Sequence, residues 1–457
     1  MSQGSGPLNS RRQFLKRTSC GFGLLALADL ANRAAAAETT SPLAPRAPHF
    51  RARARHVIFM YMGGGPSHVD TFDYKPRLQA DDGKFQGAKN QGQKFLKSPF
   101  KFEQHGQSGL WMPEIFPRLA KHADDLCLLN SMHTDVAVHG SATTQLHTGN
   151  FRFPRPSMGA WTVYGLGTEN TDLPGFISFN GAGGTTNYAS SFLPASFQGT
   201  RIDSSAGGRN GNVANIQNPR LAADLQRKQL DLLGKFHEQQ LAHDQVNPEL
   251  EGLIESYELA FRMQGAVPLV MDLASETQAT LDAYGIGETG TDNFGRQCLL
   301  ARKFVEAGVR FIELGKGDWD QHNNLKAKLK ANAHAIDRPI AALLNDLKQR
   351  GLLQDTLLVW GGEFGRTPAA QNGDGRNHNN QGFSMWMAGG GTKGGYVHGS
   401  TDEHGLRAVE KKMHINDLHA TMLYLLGLDH EKLNYRYSGR DFRLTDLAGV
   451  VAKDVVA

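Results

Sequence analysis

The sequence predicts an α/β fold with a mainly parallel, doubly wound sheet that lies between helices. In the last third of the chain, segments with helical spacing of apolar residues alternate with short runs that are almost wholly apolar, such as 356–360. Continuous apolar strands are typical of a parallel sheet that is covered on both faces. Polar and Gly-rich clusters follow several of these runs, and sites in such sheets gather at the carboxyl ends of the strands.

Residues 1–37 have the features of a twin-arginine signal peptide. Segment 10–16 reads S-R-R-Q-F-L-K, and the apolar stretch 21–30 that follows is too short for a permanent membrane span. Four alanines then end at residue 37, where a signal peptidase could cut. A basic amphipathic first helix in a cytoplasmic enzyme is the alternative. We expect export to the periplasm or the extracellular space, with no stable membrane span after cleavage.

The signal segment also carries the excess positive charge. The chain has 49 basic and 45 acidic residues, and residues 1–37 hold five basic and one acidic residue, which leaves 44 of each. A neutral mature chain removes the compositional support for nucleic-acid binding. Cys127 and Cys298 remain after cleavage, and two buried free thiols are expected rather than a disulfide or a metal site.

The remaining chain divides into a linker, residues 38–55, and one α/β domain, residues 56–450. The middle differs in composition, because 175–218 is rich in Gly, Ser and Asn and 221–281 has helical spacing with many charges. We interpret about 175–290 as a helical and irregular insertion, in which 175–218 runs over the surface and can contain short strands. The other predicted elements are strands at 56–62, 126–129, 309–314, 356–360 and 383–388, and helices at 297–307, 333–350 and 414–426.

Carboxylates and imidazoles cluster next to the predicted strands. Carboxylate oxygens together with imidazole suit zinc, manganese or a similar divalent ion. Any one of these His residues alone could be structural, but their shared position at strand ends favours a metal site. The candidate ligands are His68, Asp70, Asp318, Asp320, His322, Glu363 and His378.

A further segment, Val138 to Gly149, is predicted to begin a helix. Ser141 would lie near its N-terminus, where backbone N–H groups and the helix dipole favour anions. A hydroxyl group beside a metal can ionise and attack phosphorus or sulfur. Ordinary capping of the helix by Ser141 is the alternative.

Several motifs, taken in order, resemble one known family. They are G-G-x-S-H-x-D-T-F-D, W-D-x-H-x-N, G-E-F-G-R-T-P, G-R-x-H and G-G-G-x-K-G-G-x-V-x-G-x-T-D-E, which span about His56 to Gly449. This combination resembles the exported family called domain of unknown function 1501. That family is grouped with the alkaline phosphatase and sulfatase superfamily. The resemblance therefore implies an alkaline phosphatase-like fold and hydrolysis of phosphate or sulfate esters at bound metals.

The resemblance also implies roles for single residues. Alkaline phosphatases have a metal-binding aspartate after the first strand, where this chain has Asp70, with His68 as an alternative. Gly140-Ser141-Ala142 followed by Thr148-Gly149 resembles the nucleophile segment without its aspartate. Ser141 is therefore the preferred nucleophile, with Thr143 in reserve.

The remaining metal positions match less completely. Asp318, Asp320 and His322 resemble one ligand segment of the superfamily. Glu363-Phe364 replaces an Asp-His pair, so one expected imidazole is missing. The final histidine corresponds to His378, with His398 as the weaker alternative. The C/S-x-P-x-R motif of sulfatases is absent at the early position, which argues against a standard arylsulfatase.

These observations lead to two functional hypotheses. The first is an exported metal-dependent hydrolase of small-molecule or polysaccharide esters of phosphate or sulfate. Zinc is its expected ion, with manganese, magnesium or calcium as alternatives, and Arg366 or Arg376 would hold the oxygens of the ester. The second, motivated by Phe364, is a non-catalytic exported protein that binds a carbohydrate or a protein on the same scaffold.

Overall fold

The computed structural model describes residues 41–86, 91–180, 183–204, 216–217, 220–241 and 248–457. The predicted signal peptide, residues 1–37, lies outside these ranges. The strands are β1 His56–Met62, β2 Phe102–His105, β3 Leu110–Pro113, β4 Leu126–His133, β5 Phe176–Phe179, β6 Thr200–Ile202, β7 Phe311–Lys316, β8 Thr356–Gly361, β9 Gly365–Gln371, β10 Gly375–Asn379, β11 Phe383–Ala388, β12 Tyr396–His398, β13 Ser400–Thr401, β14 Ala408–Glu410, β15 Met413–His414, β16 Tyr435–Tyr437 and β17 Arg440–Phe442. The helices are α1 Pro76–Ala80, α2 His139–Thr148, α3 Met158–Leu166, α4 Ala223–Leu241, α5 Pro248–Met271, α6 Gln278–Ala283, α7 Asp292–Glu306, α8 Leu325–Gln349 and α9 Ile415–Leu425.

The main sheet has nine strands in the order β12-β4-β11-β8-β1-β7-β5-β6, with β15 also paired to β4. Pairs β8/β1, β1/β7, β7/β5, β5/β6, β12/β4 and β15/β4 are parallel, whereas β11 runs antiparallel to both of its neighbours. The central strands β1, β8 and β11 are buried along their whole length. Helices α3 and α7 pack against β7. This arrangement confirms the predicted α/β class with a mainly parallel sheet.

The strand directions bring distant loops to one edge of the sheet. Strands β1, β4, β5, β7 and β8 all end at this edge, because β4 and β8 are both antiparallel to β11. The reversed strand β11 begins at the same edge, and the β9–β10 hairpin leads into it. The segments at this edge are therefore those after β1, β4, β5, β7 and β8 and the one before β11.

One expectation about the middle of the chain is wrong. The stretch 175–218 is predicted to run over the surface and can contain short strands; β5 and β6 do form there, but β5 is fully buried between β7 and β6. Its four residues, Phe-Ile-Ser-Phe, are mostly apolar, and their burial in the sheet outweighs the polar composition around them. The expected helical spacing after residue 221 is confirmed by α4, α5 and α6.

Two smaller expectations are confirmed. Cys127 and Cys298 are buried free thiols, and burial raises the pKa of both. Within the described ranges, no helix combines the length and the apolar character needed to cross a membrane.

Candidate metal centre

Four side chains meet at the edge of the sheet where the strands end. They are His139, Asp320, His322 and His378, and each offers one ligand atom within 4.8 Å of the others. His139 is the first residue of α2, after β4, and His378 lies in β10. Asp320 and His322 follow β7. We call these four residues the candidate centre.

Asp320 lies at the middle of the candidate centre. Its Oδ1 atom is 2.9 Å from His322 Nε2, 3.3 Å from His139 Nε2 and 3.4 Å from His378 Nε2. The Nε2 atoms of His322 and His378 are only 3.0 Å apart. Three imidazoles therefore present the same ring atom to one carboxylate oxygen.

The opposite ring nitrogen of each imidazole is held by an oxygen acceptor. The pairs are His139 Nδ1 with Glu363 Oε1 at 2.6 Å, His322 Nδ1 with Gln371 Oε1 at 2.6 Å, and His378 Nδ1 with Ala137 O at 2.8 Å. An oxygen acceptor requires each Nδ1 to carry its hydrogen, so the neutral ring has its lone pair on Nε2. Such partners behind the ring fix the tautomer and the orientation of metal-binding histidines.

This arrangement fits a bound divalent cation. His139 Nε2 is buried and forms no hydrogen bond with any residue that the structure describes, although it lies 3.3 Å from Asp320 Oδ1. The Nε2 lone pairs of His322 and His378 face each other at 3.0 Å, which is unfavourable unless a positive charge lies between them. Three imidazole nitrogens and one carboxylate oxygen are the donor set that zinc prefers.

Arg366 binds the same carboxylate oxygen of Asp320 that the three imidazoles approach. Its Nη2 donates to Asp320 Oδ1 and to the carbonyl oxygen of Gly64, and its Nε donates to Gly65 O at 2.9 Å. Burial alone would raise the pKa of Asp320, but the Arg366 guanidinium and the neighbouring imidazoles lower it to about 2. Asp320 is therefore a carboxylate at every physiological pH.

The glycines after β1 allow this close approach. Gly64 has a φ of +115°, and a Cβ atom there would lie 2.7 Å from the backbone nitrogen of Asp320. Gly65 has a φ of +71°, and its Cβ would lie 2.7 Å from the ring of Phe364. A side chain at Gly64 would displace the loop that carries Asp320, and a side chain at Gly65 would displace Phe364.

A cavity of about 540 Å³ opens beside the candidate centre. His139 and Asp320 line it, together with Tyr61, Thr143, Lys316, Asn180 and Glu363. Glu363 is 1% exposed and accepts a hydrogen bond from Gly64 N at 3.0 Å. Its carboxylate is therefore fixed where it accepts from His139 Nδ1 and orients that ring. The raised pKa of His139 has this hydrogen bond to Glu363 as its largest cause.

A chain of hydrogen bonds runs from Thr143 to the carboxylate of Glu363. Tyr61 donates its hydroxyl hydrogen to Glu363 Oε2 at 3.2 Å and lies 2.8 Å from Thr143 Oγ1. Because that hydrogen is already used, the Thr143 hydroxyl donates to the oxygen of Tyr61. Burial, and then the charge of Glu363, raise the pKa of Tyr61 well above its ordinary value.

The two predicted hydroxyl groups have different positions. Helix α2 exists as expected, but Val138 is its N-cap residue, and Ser141 does not cap it. Thr143 lines the cavity, whereas Ser141 is not among the described residues that line it. The structure therefore brings Thr143, and not Ser141, to the cavity beside the candidate centre.

Arg376 and Asp70 are bound to each other instead of lining the site. Both are fully buried, and Arg376 Nε and Nη2 donate to Asp70 at 2.6 and 3.0 Å. The other Arg376 donors go to the carbonyl oxygens of Thr367, Pro368 and Leu96. All five N–H groups are used, so the expected contact of Arg376 with an ester is corrected. Asp70 likewise has no place in the candidate centre.

The remaining predicted ligands lie apart from the four that converge. His68 is buried and contacts the carbonyl oxygen of Gly405 through Nε2. Asp318 is 87% exposed and pairs with Lys316 at 3.2 Å. Arg366 is also fully buried, so it positions Asp320 and cannot reach an ester in the cavity.

His139 was missed by the sequence interpretation. It stands in the segment chosen for Ser141, but an imidazole before a predicted helix gives no sign of its direction. The available signal was its place after the strand 126–129, the same context that identified the other candidate ligands. Phe364, which replaces an expected imidazole, is buried and packs against the candidate centre, with its ring centroid 4.9 Å from that of His139 and 4.7 Å from that of His378.

The fold and the site together define an α/β protein with a candidate metal centre at the carboxyl edge of a mainly parallel sheet. Residues 54–456 match the family described as protein of unknown function (DUF1501), and the chain belongs to this family. The family resemblance of the sequence is thereby confirmed. The chain has no match among curated proteins.

Solved structures with a similar course of the chain include three enzymes. The PsFucS1 sulfatase from Pseudoalteromonas sp. is 15% identical, with 83% of this chain and 69% of that chain covered and a TM-score of 0.36. The phosphonate monoester hydrolase from Silicibacter pomeroyi is 12% identical, with coverages of 81% and 73% and a TM-score of 0.31. The lipoteichoic acid synthase from Listeria monocytogenes is 9% identical, with coverages of 88% and 78% and a TM-score of 0.34. Because the identities and TM-scores are low, the activities of these enzymes are not assigned to this chain, and its chemistry is argued from its own residues.

Proposed function

We propose that this protein is an exported metal-dependent hydrolase of phosphate or sulfate esters. The observation that carries the proposal is the convergence of three imidazole Nε2 atoms on Asp320 Oδ1 beside an open cavity. His139, Asp320, His322 and His378 would hold the ion, and zinc suits this donor set best. When bound, such an ion would supply Lewis acidity toward an ester oxygen.

Thr143 is the nucleophile in this proposal, and its choice over Ser141 rests on its place in the cavity. Its oxygen would form a bond to phosphorus or sulfur while the bond to the leaving alcohol breaks. The Thr143 proton would pass to Tyr61 as the Tyr61 proton passes to Glu363, which the hydrogen-bond order supports. The leaving alkoxide would take a proton from water, which leaves a hydroxide. That hydroxide would attack the phosphorus or sulfur as its bond to Thr143 breaks, and the Thr143 oxygen would recover its proton from Glu363 through Tyr61.

Lys316 is the cationic group available to the substrate. It lines the cavity and is half-buried, with Asp318 and the carbonyl oxygen of Gly317 as its neighbours. An ammonium group at this position would attract the oxyanions of a phosphate or sulfate ester. This role replaces the one expected for Arg366 and Arg376.

Metal content tests the centre directly. The variants Asp320→Ala and His139→Ala should each lose zinc after purification without a tag, because each removes one of four ligands. Asp318→Ala is the matched control, since it removes an exposed carboxylate two residues away and should retain the metal. The measurement is elemental analysis of folded protein, and a metal-free wild-type chain after zinc reconstitution would contradict the centre.

Activity tests the nucleophile separately. Thr143→Val should lower hydrolysis of an aryl phosphate or aryl sulfate at least 100-fold while zinc content stays at the wild-type value. Ser141→Ala should change the rate less than threefold, because Ser141 does not line the cavity. The reverse result would assign the nucleophile to Ser141, and normal rates in both variants would remove the covalent step.

A further inference from the structure

Two adjoining cavities lie along helix α8, outside the candidate centre. They have volumes of about 620 and 500 Å³, and both are lined by Arg118 and Arg338. We call them together the basic cleft. None of the described residues that line it belongs to the candidate centre, so the inference below does not depend on the proposed hydrolase activity.

Helix α8 presents a stripe of basic side chains to this cleft. Lys326, Lys330, His334 and Arg338 follow one another at intervals of four residues, and all four line the 500 Å³ cavity. Residues at this interval lie on the same face of a helix, and these four span about 18 Å. A repeated charge along one line suits a linear partner with repeated opposite charges.

Most basic side chains of the cleft have no acidic partner. Among the described residues, no carboxylate forms an ion pair with the exposed side chains of Arg118, Lys121, Lys326, Lys330 or His334. Lys326 and Lys330 lie four residues apart, and like charges at this interval destabilise a helix by a few tenths of a kcal/mol per pair. Binding of an anion between these two side chains would relieve their repulsion.

Four carboxylates line the cleft, and three of them are engaged by other groups of the protein. Glu288 pairs with Arg338, and Asp346 pairs with Arg302 and Arg350. Asp337 accepts hydrogen bonds from the backbone N–H groups of Arg118 and Leu119. The fourth, Glu114, is exposed and accepts from Lys101 N at 3.2 Å. Six Lys and Arg side chains line the cleft against these four carboxylates, which leaves a positive excess.

We propose that the basic cleft binds a sulfated polysaccharide. Sulfate groups keep a full negative charge at every physiological pH, and each offers three oxygens to ammonium and guanidinium donors. A nucleic acid is disfavoured because the aromatic lining residues, Phe100 and Tyr284, are 7% and 1% exposed and cannot stack with bases.

Binding of dextran sulfate to the full chain tests this inference. The double variant Lys326→Glu/Lys330→Glu should bind at least tenfold more weakly than wild type at 0.1 M salt, and its affinity should depend less on salt because fewer charges pair. The control, Lys228→Glu/Lys235→Glu, makes the same change of charge on exposed positions of α4, away from the cleft. It should bind within twofold of wild type.

Three results would overturn the inference. They are wild-type affinity in the cleft variant, equal weakening in the control variant, and tighter binding of single-stranded DNA than of dextran sulfate by wild type. The milder variant Lys330→Ser should weaken binding in the same direction to a smaller extent, which guards against a folding defect. Metal content and ester hydrolysis should not change in any of these variants, so a failure here is distinct from a failure of the proposed activity.

Discussion

At the scale of single residues, Asp70 and Arg376 show how a buried charge can be structural. Neither side chain has exposed surface, and every N–H group of the Arg376 guanidinium donates a hydrogen bond to Asp70 or to a carbonyl oxygen. Removing one partner of a buried ion pair leaves an uncompensated charge, whereas an intact pair is close to neutral for stability. The pair therefore ties the loop after β1 to the β9–β10 hairpin that carries His378.

Asp70→Asn should lower the free energy of unfolding by about 3–5 kcal/mol, because Arg376 would lose its counter-charge in the core. Urea denaturation measures this change. The zinc content of the folded variant should equal that of wild type, since Asp70 is not in the candidate centre. Loss of metal without loss of stability would instead make Asp70 a ligand.

At the scale of elements, the position of α2 controls the site. His139 and Thr143 both lie on this helix, and His419 of α9 contacts the carbonyl oxygen of Leu146 through Nε2 at 2.7 Å. His147 Nε2 lies 2.6 Å from Glu313 of β7. Contacts to α9 and to β7 thus hold the helix that supplies a ligand and the proposed nucleophile.

The His419 contact should make stability depend on pH. Burial lowers the pKa of His419 to about 4, below its value of about 6.5 in an unfolded chain. The unfolded chain then binds the proton first, so stability is lost as the pH falls from about 6.5 to about 4, by about 3 kcal/mol. His419→Gln should flatten the pH dependence of unfolding over this range, and His334→Gln, at an exposed position, should leave it unchanged. An unchanged slope in His419→Gln would show that His419 titrates normally in the folded protein.

At the scale of the whole molecule, the excess positive charge lies in residues 1–37, and residues 38–457 by themselves are formally neutral. We propose that residues 1–37 are a twin-arginine signal that exports the protein already folded. This order would let the three distant segments that carry the four ligands assemble around an ion before export.

Replacing Arg11 and Arg12 by Lys should stop export, because the paired arginines are the part of the signal that its receptor reads. Cell fractionation should then find the uncleaved chain inside the cell, whereas wild type should appear outside the cytoplasm with its N-terminus near Glu38. Substitution of Arg51 and Arg53 by Lys, in the predicted linker, is the control. Export of the Arg11/Arg12 variant at the wild-type rate would exclude this pathway.

The sequence by itself determined the class of fold and the family. Continuous apolar runs such as Thr356–Gly361 are stable only when both faces of the sheet are covered, and their alternation with helical segments predicts a mainly parallel sheet. Local composition did not reveal that the equally apolar strand β11 is antiparallel to its neighbours. The same reasoning placed Asp320, His322 and His378 near strand ends, and all three lie in the candidate centre. The prediction of a surface position was wrong for β5, because its burial depends on its neighbours β6 and β7 and not on the polar sequence around it.

Only the tertiary structure decided which side chains point at one another. His139 and Asp320 are 181 positions apart in the chain, and no local pattern relates their directions. No local pattern predicts the partners of Arg376 either, since its N–H groups donate to Asp70 and to three carbonyl oxygens from other segments. The physical reason is that spacing along the chain fixes the element on which a side chain stands. Packing between elements fixes its hydrogen-bond partners, and those partners decide whether it is a ligand, a support or part of the core.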